Sequence, residues 1–178
     1  MGAWLSLGEC NIACSMNIRT ATIQDLTQIQ TVYAHHVLHG TGSFEIIPPS
    51  LEEITIRFSL NQEAGFTWIV AENKKRILGY GYFAPFRARP AYDMTVEDSV
   101  YVRDDVRGQG VGKALVNSLV GAAKKSGFLQ MVSLIGDSEN TASIGVHASL
   151  GFQHSGTMRK VGYKFDRWLD VVIMQRAL

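Results

Sequence analysis

The spacing of apolar residues along the first half of the chain predicts strands and helices. Apolar positions recur every three or four residues from Ile23 until Gly40, which is typical of a helix and its C-terminal stop. Ser50 and Glu53 form a capping-box pattern that opens a second helix. Two β-rich runs on either side of a polar turn predict a hairpin. The predicted elements are a strand at 18–20, helices from 23 to 40 and from 50 onward, and strands at 67–71 and 77–83.

The second half of the chain continues to change between strand and helix patterns. One face of a predicted helix carries Val111, Leu115 and Leu119, and Gly127 ends this helix. Residues 171–174 are all apolar, as expected of a strand covered on both sides. The predicted elements are a strand at 98–102, a helix at 110–126, a strand at 131–135, a helix at 141–150, and strands at 153–158 and 168–175. This order predicts a mixed α/β fold with one sheet and helices on its faces.

The composition is that of a globular protein with one domain. The 178 residues are 46% hydrophobic and 19% charged, with a net charge of +1. This balance indicates neither a nucleic-acid partner nor a membrane surface, and no apolar run approaches the ~18 residues of a membrane span. Cys10 and Cys14 have no second Cys or His pair nearby, so the sequence predicts neither a zinc site nor a disulfide framework. We therefore expect a cytoplasmic protein.

Residues 1–15 are predicted to be an N-terminal extension outside the core of the protein. They have no basic segment, and Glu9 interrupts their apolar stretch, so the pattern is not that of a secretory signal. Met16 opens a much more regular segment, and we interpret it either as the natural start or as the end of a loosely attached arm. The predicted domain therefore covers residues 16–178.

Three glycines at alternate positions stand between a predicted strand and a predicted helix, in the stretch VRGQGVGKA at 106–114. Glycines let successive N–H groups turn inward, and a helix N-terminus adds partial positive charge, so this layout is typical of an anion site. A Walker A loop does not fit, because Arg107 and Ala114 replace two of its required residues. A dinucleotide fingerprint does not fit either, because Lys113 replaces its third glycine. The pattern Arg107-x-x-Gly110-x-Gly112 remains, with a plain glycine-rich turn as the alternative.

This pattern, after the strand residues SVYV at 99–102, resembles the acetyl-CoA signature of the GCN5-related N-acetyltransferases, the GNAT superfamily. The run NTASIGVHASLGF at 140–152 resembles a second superfamily motif. FRARPAYD followed by TVE, at 86–97, and GYKFDRWLD at 162–170 are similar to the phosphinothricin and methionine sulfoximine acetyltransferases within that superfamily. The resemblance covers essentially the whole chain after residue 16.

The resemblance implies a GNAT fold, with one central, mostly antiparallel sheet and helices on both faces. It implies direct transfer of acetyl from acetyl-CoA, without a metal, to the amine of a small amino-acid-like acceptor such as phosphinothricin or methionine sulfoximine or sulfone. Such enzymes detoxify inhibitors of glutamine synthetase. A peptide or protein N-terminal acetyltransferase, and an acetyl-CoA-sensing module without turnover, are the alternatives.

The residues expected to hold acetyl-CoA follow from the resemblance and from the layout of the anion site. Amides at the end of the strand before the glycines are expected to meet the thioester carbonyl, where charge develops on oxygen. Asn140 is expected to bond the pantetheine or its thiol region, with a helix N-cap as a compatible alternative. The predicted cofactor residues are Val100, Tyr101, Val102, Arg107, Gly108, Gln109, Gly110, Val111, Gly112, Lys113, Asn140 and Ser143.

Two residues are predicted to be catalytic. Glu97 stands just before the predicted strand, at the position that the phosphinothricin-type family uses for its base. A base is needed because an ammonium has no lone pair for attack; a solvated turn carboxylate is the alternative for Glu97. His147 stands where most of the superfamily carries Tyr, and is predicted to be an acid, a base or a substrate ligand, against the alternative of a structural residue.

The acceptor is expected to meet a loop that precedes the catalytic strand. Arg87 and Arg89, with Tyr92, are predicted to hold its anionic end, because the guanidinium group binds such groups in bidentate fashion. An exposed basic loop is the alternative. Phe44 is predicted to wall the same pocket, with core packing as its alternative. Glu97 is predicted to contact the acceptor as well.

Two further features concern partners. Histidines 35, 36 and 39 lie along the first helix, where His35 and His39 share a face; without a carboxylate partner, we interpret all three as surface or packing residues rather than metal ligands. The resemblance implies a homodimer in which residues of one chain close the acceptor pocket of the other. The final strand supports this prediction if it lies near an edge of the sheet. Its apolar residues, with Tyr163 and Trp168 nearby, would then be exposed, and a two-fold interface would cover them.

Overall fold

In the computed structural model, which describes residues 16–178, one sheet of seven strands separates two layers of helices. The strands are β1 Asn17–Thr20, β2 Trp68–Asn73, β3 Arg76–Pro85, β4 Thr95–Val102, β5 Gln130–Gly136, β6 Gln153–Lys164 and β7 Arg167–Ala177. The helices are α1 Leu26–His39, α2 Leu51–Glu63, α3 Val111–Lys125 and α4 Thr141–Ser149. The predicted order of elements is confirmed.

The strands lie in the order β1-β2-β3-β4-β5-β7-β6. Each neighbouring pair is antiparallel except β4 and β5, which run parallel. The long connection between these two contains α3, as a parallel crossover requires. The predicted mixed α/β fold, with a single mostly antiparallel sheet, is therefore confirmed.

Each face of the sheet buries its own apolar core. α3 packs on one face through the predicted Val111, Leu115 and Leu119, each at most 1% exposed. Burial of one such side chain stabilises the fold by about 1.5–3 kcal/mol. On the other face, α1 and α2 pack against β2 and β3, and Ser50 caps α2 by accepting the Glu53 N–H. The helices therefore cover both faces, as expected.

The strands β4 and β6 are both longer than their patterns predicted. β4 begins at Thr95, so Glu97 lies inside this strand and not before it. β6 continues to Lys164, well past the predicted end at 158, because irregular pairing after Met158 and a left-handed Lys160 (φ 51°) disrupt the alternation of side chains.

The final strand does not lie at an edge, which corrects that expectation. β7 pairs with β5 on one side and with β6 on the other, and its Val172 and Met174 are buried within the chain. β6 is the edge strand. The β6–β7 hairpin exposes two large aromatic side chains, Tyr163 and Trp168, which are 55% and 57% exposed and whose ring centroids are 5.3 Å apart.

The predicted extension at residues 1–15, with Cys10 and Cys14, lies outside the described residues. Within residues 16–178, no helix is long and apolar enough to cross a membrane. The same range contains no group of three or more His, Cys, Asp or Glu side chains arranged to hold a metal ion.

Candidate active site

The parallel strands β4 and β5 separate half-way along their length. They pair from Thr95 with Gln130 as far as Asp98 with Ser133. Beyond that pair, β4 continues beside β3 while β5 continues beside β7. The wedge between them opens into a cavity of about 760 Å³. The separation of two central strands thus creates a deep concave site between β4 and β5.

Backbone donors of β4 point into this wedge. The N–H groups of a strand alternate between its two edges, and that of Arg103 bonds the Leu78 carbonyl oxygen of β3. The N–H groups of Val100 and Val102 therefore point to the opposite edge, where β5 has moved away. Donors of this kind suit the amide and thioester oxygens of an extended ligand.

The glycine loop closes one end of the cavity. Gly108 and Gly110 have φ values of 75° and 81°, a left-handed conformation that strains a residue with a Cβ. Gly110 is the N-cap of α3, so the free N–H groups of the first helical turn and the positive end of the helix dipole meet here. Arg107 and Lys113 line the same end of the cavity. The arrangement is that of a site for a polyanion.

The structure brings the predicted cofactor residues together. All of them line the cavity except Gln109. Asn140 uses its side-chain oxygen to accept the Ser143 N–H at 3.2 Å, so the helix-cap alternative holds for that atom. Its amide nitrogen lies 3.5 Å from the Gly136 carbonyl oxygen and remains the group available to a ligand.

His147 is buried beside the point where the strands separate. Its Nδ1 lies 2.8 Å from the Ser143 carbonyl oxygen, and its Nε2 lies 3.0 Å from Oδ2 of Asp98. These oxygens accept hydrogen bonds, so at a pH below the pKa of His147 both ring nitrogens donate and the ring is an imidazolium. Burial lowers the pKa of His147, but the hydrogen bond and charge of Asp98 outweigh it and raise the pKa above its usual value. The arrangement suits a proton donor and does not suit a base.

The Asp98–His147 pair makes the stability of the protein depend on pH. The pKa of His147 is higher in the folded state than the ~6.5 of an unfolded chain. Its contribution is therefore fully present below pH ~6.5 and is lost as the pH rises through the folded-state value. We expect the free energy of unfolding, measured by urea titration, to fall over that interval in the wild type. Asp98→Asn should reduce this pH dependence of the free energy of unfolding, whereas Asp93→Asn, which removes an exposed carboxylate, should not. The same pH dependence in the wild type and both variants would contradict the pairing of Asp98 with His147.

Glu97 lies on the opposite face of β4 from Asp98, because successive side chains of a strand alternate. Its Oε2 is 3.6 Å from Nη1 of Arg87, and its side chain is 28% exposed. Burial raises the pKa of Glu97 above its usual value; the Arg87 charge opposes this rise and the Asp98 charge adds to it. A half-buried carboxylate with a raised pKa is suited to take up a proton from an amine.

The predicted acceptor residues fall into two groups. The Arg87 guanidinium lies 4.1 Å from the Phe86 ring centroid, and the Phe86 and Tyr92 rings are in edge contact, so these side chains and Glu97 form one cluster. Arg89 is exposed on the same loop. Phe44 packs against Gly162 of β6 and Gly136 of β5, where a Cβ would lie 2.2 Å and 3.0 Å from its ring, and Gly136 lines the cavity.

Two residues near the cavity were not predicted to serve it. His36 was interpreted as a surface or packing residue, but its Nε2 lies 2.8 Å from the Val102 carbonyl oxygen at the edge of the wedge. Lys164 is 5% exposed and donates to the carbonyl oxygens of Gly40 and Ser43, which fixes the loop after α1 against the β6–β7 hairpin. The sequence did offer a signal for a role of Lys164, because this residue lies within the GYKFDRWLD motif.

Asp98 and Ser133 were also missed. Strand alternation already places Asp98 on the same face of β4 as the apolar Val96 and Val100, where a buried carboxylate needs a partner. That signal was present in the sequence. No sequence signal pointed to Ser133, because a serine in an apolar strand is common. Its contact with His147 depends on how α4 packs.

Residues 18–173 match the family described as the acetyltransferase (GNAT) domain. The chain is 44% identical to the phosphinothricin N-acetyltransferase of Alcaligenes faecalis over 165 residues, which cover 93% of this chain and 84% of that protein. This protein belongs to the GNAT acetyltransferase family. It is also 40% identical to the L-methionine sulfoximine/L-methionine sulfone acetyltransferase of Pseudomonas aeruginosa, over 92% of this chain and 95% of that protein. The crystal structure of a phosphinothricin acetyltransferase from Sinorhizobium meliloti in complex with acetyl-CoA has a TM-score of 0.89 and 40% identity, covering 92% of this chain and 89% of that one.

The cavity of this GNAT acetyltransferase fits acetyl-CoA in its chemistry. The diphosphate needs N–H donors and positive charge, which the first turn of α3, Arg107 and Lys113 supply. The pantetheine amides and the thioester need backbone donors in a narrow wedge, which Val100 and Val102 supply. Left-handed Gly110 keeps the path to the helix N-terminus free of side chains.

Proposed function

We propose that this GNAT acetyltransferase transfers acetyl from acetyl-CoA to the amine of a small amino-acid-like acceptor, of the phosphinothricin or methionine sulfoximine type. One observation carries the choice of acceptor. The carboxylate of Glu97 and the guanidinium of Arg87 lie 3.6 Å apart, on the face of β4 opposite to the His147 cluster. A proton acceptor beside an anion-binding group matches a molecule that carries an ammonium and an acidic group a few bonds apart.

Each side chain has a defined part in this reaction. Arg87 binds the anionic group of the acceptor and so places its ammonium beside Glu97. Glu97 takes a proton and leaves a nucleophilic amine. Acetyl-CoA supplies an activated acyl group as a thioester. The Val100 N–H points to where charge develops on the carbonyl oxygen, and His147 holds a positive charge where the sulfur departs.

An acceptor panel with detection of free thiol tests this function. The panel contains phosphinothricin, methionine sulfoximine, methionine sulfone, methionine and a short peptide with a free N-terminus. We expect the highest kcat/KM for the acceptors with phosphinate, sulfoximine or sulfone oxygens. Faster turnover of the peptide would favour an N-terminal acetyltransferase, and absence of acceptor-dependent thiol from every compound would contradict the proposal.

Arg87→Ala is expected to raise the KM of the acceptor by about 10- to 100-fold, the range for loss of a charged hydrogen bond. The KM of acetyl-CoA should change little, because Arg87 does not line the acetyl-CoA cavity. Lys125→Ala is the control, since it removes an exposed positive charge at the end of α3 from a residue that does not line the cavity. Equal effects of the two substitutions would indicate a general charge effect and contradict specific binding by Arg87.

We further propose that the protein is a homodimer formed through the β6–β7 hairpin. The hairpin exposes Val161, Tyr163, Phe165 and Trp168, which together form an apolar surface at the sheet edge. Light scattering at micromolar concentration should give twice the chain mass of 19.6 kDa, and Trp168→Glu should reduce it. A wild-type mass near 19.6 kDa would contradict the dimer. Because Arg87 and Glu97 are adjacent within one chain, mixing Arg87→Ala with Glu97→Gln chains should not restore activity.

A further inference from the structure

We propose that Ser133 is a further catalytic residue, which touches the sulfur of the departing coenzyme A and passes it a proton supplied by His147. This inference rests on the proposed function, because it concerns the leaving group of that reaction. It adds a residue of β5 to the site, and it gives the buried Asp98–His147 pair a chemical purpose beyond holding α4 to the sheet.

The position of Ser133 is the first argument. Ser133 and Asp98 form the last pair between β5 and β4 before the strands separate, so Ser133 lies at the apex of the wedge. It is 4% exposed and lines the cavity together with His147. Val100, whose N–H points into the wedge, is two residues beyond the same apex. An acyl group held by that N–H therefore has its sulfur within the same narrow part of the cavity.

The direction of the hydrogen bonds is the second argument. Ser133 Oγ lies 3.0 Å from Nε2 of His147, and so does Oδ2 of Asp98. Since the imidazolium carries a proton on Nε2, Ser133 accepts from it and cannot donate to it. Its hydroxyl hydrogen is then free for another acceptor. Among residues 16–178, the structure shows no hydrogen-bond partner for Ser133 Oγ other than His147, so the cavity remains as the place for that acceptor.

The confinement of His147 is the third argument. Its Nδ1 is bonded to the Ser143 carbonyl oxygen and its Nε2 to the Asp98 carboxylate, so neither ring nitrogen points freely into the cavity. Oδ1 of Asp98 has no hydrogen-bond partner within the described residues, so the charge of this carboxylate is balanced through the single contact with His147. Ser133 is the group that connects this charged pair to the ligand space.

The proton transfer balances as follows. The bond from the amine nitrogen to the acetyl carbon forms and the carbon–sulfur bond breaks, with its electron pair going to sulfur. Ser133 gives its hydroxyl proton to the sulfur while its oxygen takes the Nε2 proton of His147. His147 is left neutral beside Asp98 and regains a proton from water once the cavity opens to solvent. The proton of the amine goes separately to Glu97 on the other face of β4.

Calorimetric binding of coenzyme A and of desulfo-coenzyme A, which has hydrogen in place of the thiol, tests the contact without any acceptor. At the highest pH at which the urea titrations still show the Asp98–His147 pair protonated, we expect the wild type to prefer coenzyme A by about tenfold, the effect of a hydrogen bond to a charged group. Ser133→Ala should abolish the preference and leave the affinity for desulfo-coenzyme A unchanged. Ser133→Thr keeps the hydroxyl and should keep the preference.

The outcomes separate this inference from the proposed function. If no acceptor is acetylated but the thiol preference depends on the Ser133 hydroxyl, the proposed function fails and the sulfur contact stands. If Ser133→Ala retains the preference, or the wild type shows none, the inference is overturned whatever the acceptor panel gives. Ser133→Gly serves as a second hydroxyl-free variant in case Ser133→Ala does not fold.

A single-turnover measurement tests the proton itself. We expect acetyl transfer in Ser133→Ala to be about 100-fold slower than in the wild type, at the lower end of the effects of acid–base groups. In mixtures of H₂O and D₂O, the wild-type rate should depend on more than one exchangeable proton, and Ser133→Ala should lose this curvature. A structural role for Ser133 would change stability without changing the isotope dependence, and that result would overturn the relay.

Discussion

Glu97→Gln is expected to lower kcat by about 10²- to 10⁴-fold, the range for loss of a general base. Gln keeps the size of the side chain and an oxygen for Arg87, but it cannot take a proton from an ammonium. The affinity for acetyl-CoA should stay close to that of the wild type, because Glu97 does not line the acetyl-CoA cavity. Steady-state rates with saturating acceptor, combined with calorimetric binding of acetyl-CoA, measure the two effects separately.

The pH dependence of kcat tests whether Glu97 is the general base. A base acts in its ionised form, so the wild-type kcat should fall as the pH drops through the pKa of Glu97, which burial raises above its usual ~4.5. Glu97→Gln should lose this acid limb. Asp93→Asn, which removes a carboxylate from the neighbouring loop, should keep both the rate and the limb. A Glu97→Gln protein with a normal rate and a normal limb would show that another group removes the proton.

The chemistry that lies within one stretch of the chain was predictable from sequence. The donors of the glycine loop and the first turn of α3 come from neighbouring residues, so their function depends on local backbone geometry that glycine spacing reveals. The same holds for the apolar face of α3. The buried Val111, Leu115 and Leu119 are four positions apart, and helical periodicity makes them visible before any tertiary contact is known.

The contacts that could not be predicted join distant parts of the chain. Asp98 and His147 are 49 residues apart, and His36 and the Val102 carbonyl are 66 apart. Such pairs depend on which strands are neighbours and where they separate, and periodicity does not carry that information. The final strand shows the same limit, since its apolar residues indicated burial on both faces but not that β6 lies outside it.

Gly110→Val is expected to abolish most of the stabilisation that acetyl-CoA gives the folded protein. At a hundredfold excess over its Kd, a ligand of this kind should raise the Tm by about 5–10 °C for a chain of this size. Gly110 has φ of 81°, and a β-branched residue there costs about 1–2 kcal/mol or moves the loop out of its left-handed conformation. Either response turns the N–H groups at the start of α3 away from the diphosphate site.

Strain alone must be separated from loss of the site, and α3 offers a matched control at its other end. Gly127 has φ of 87° but does not line the cavity, so Gly127→Val should lower the Tm of the free protein as Gly110→Val does, and yet keep the acetyl-CoA shift. Gly112→Ala should also keep the shift, because its Cβ would meet Val102 Cγ2 at an ordinary 3.6 Å. A full shift in Gly110→Val would mean that the diphosphate is held elsewhere, and the glycine loop would then be a plain turn between strand and helix.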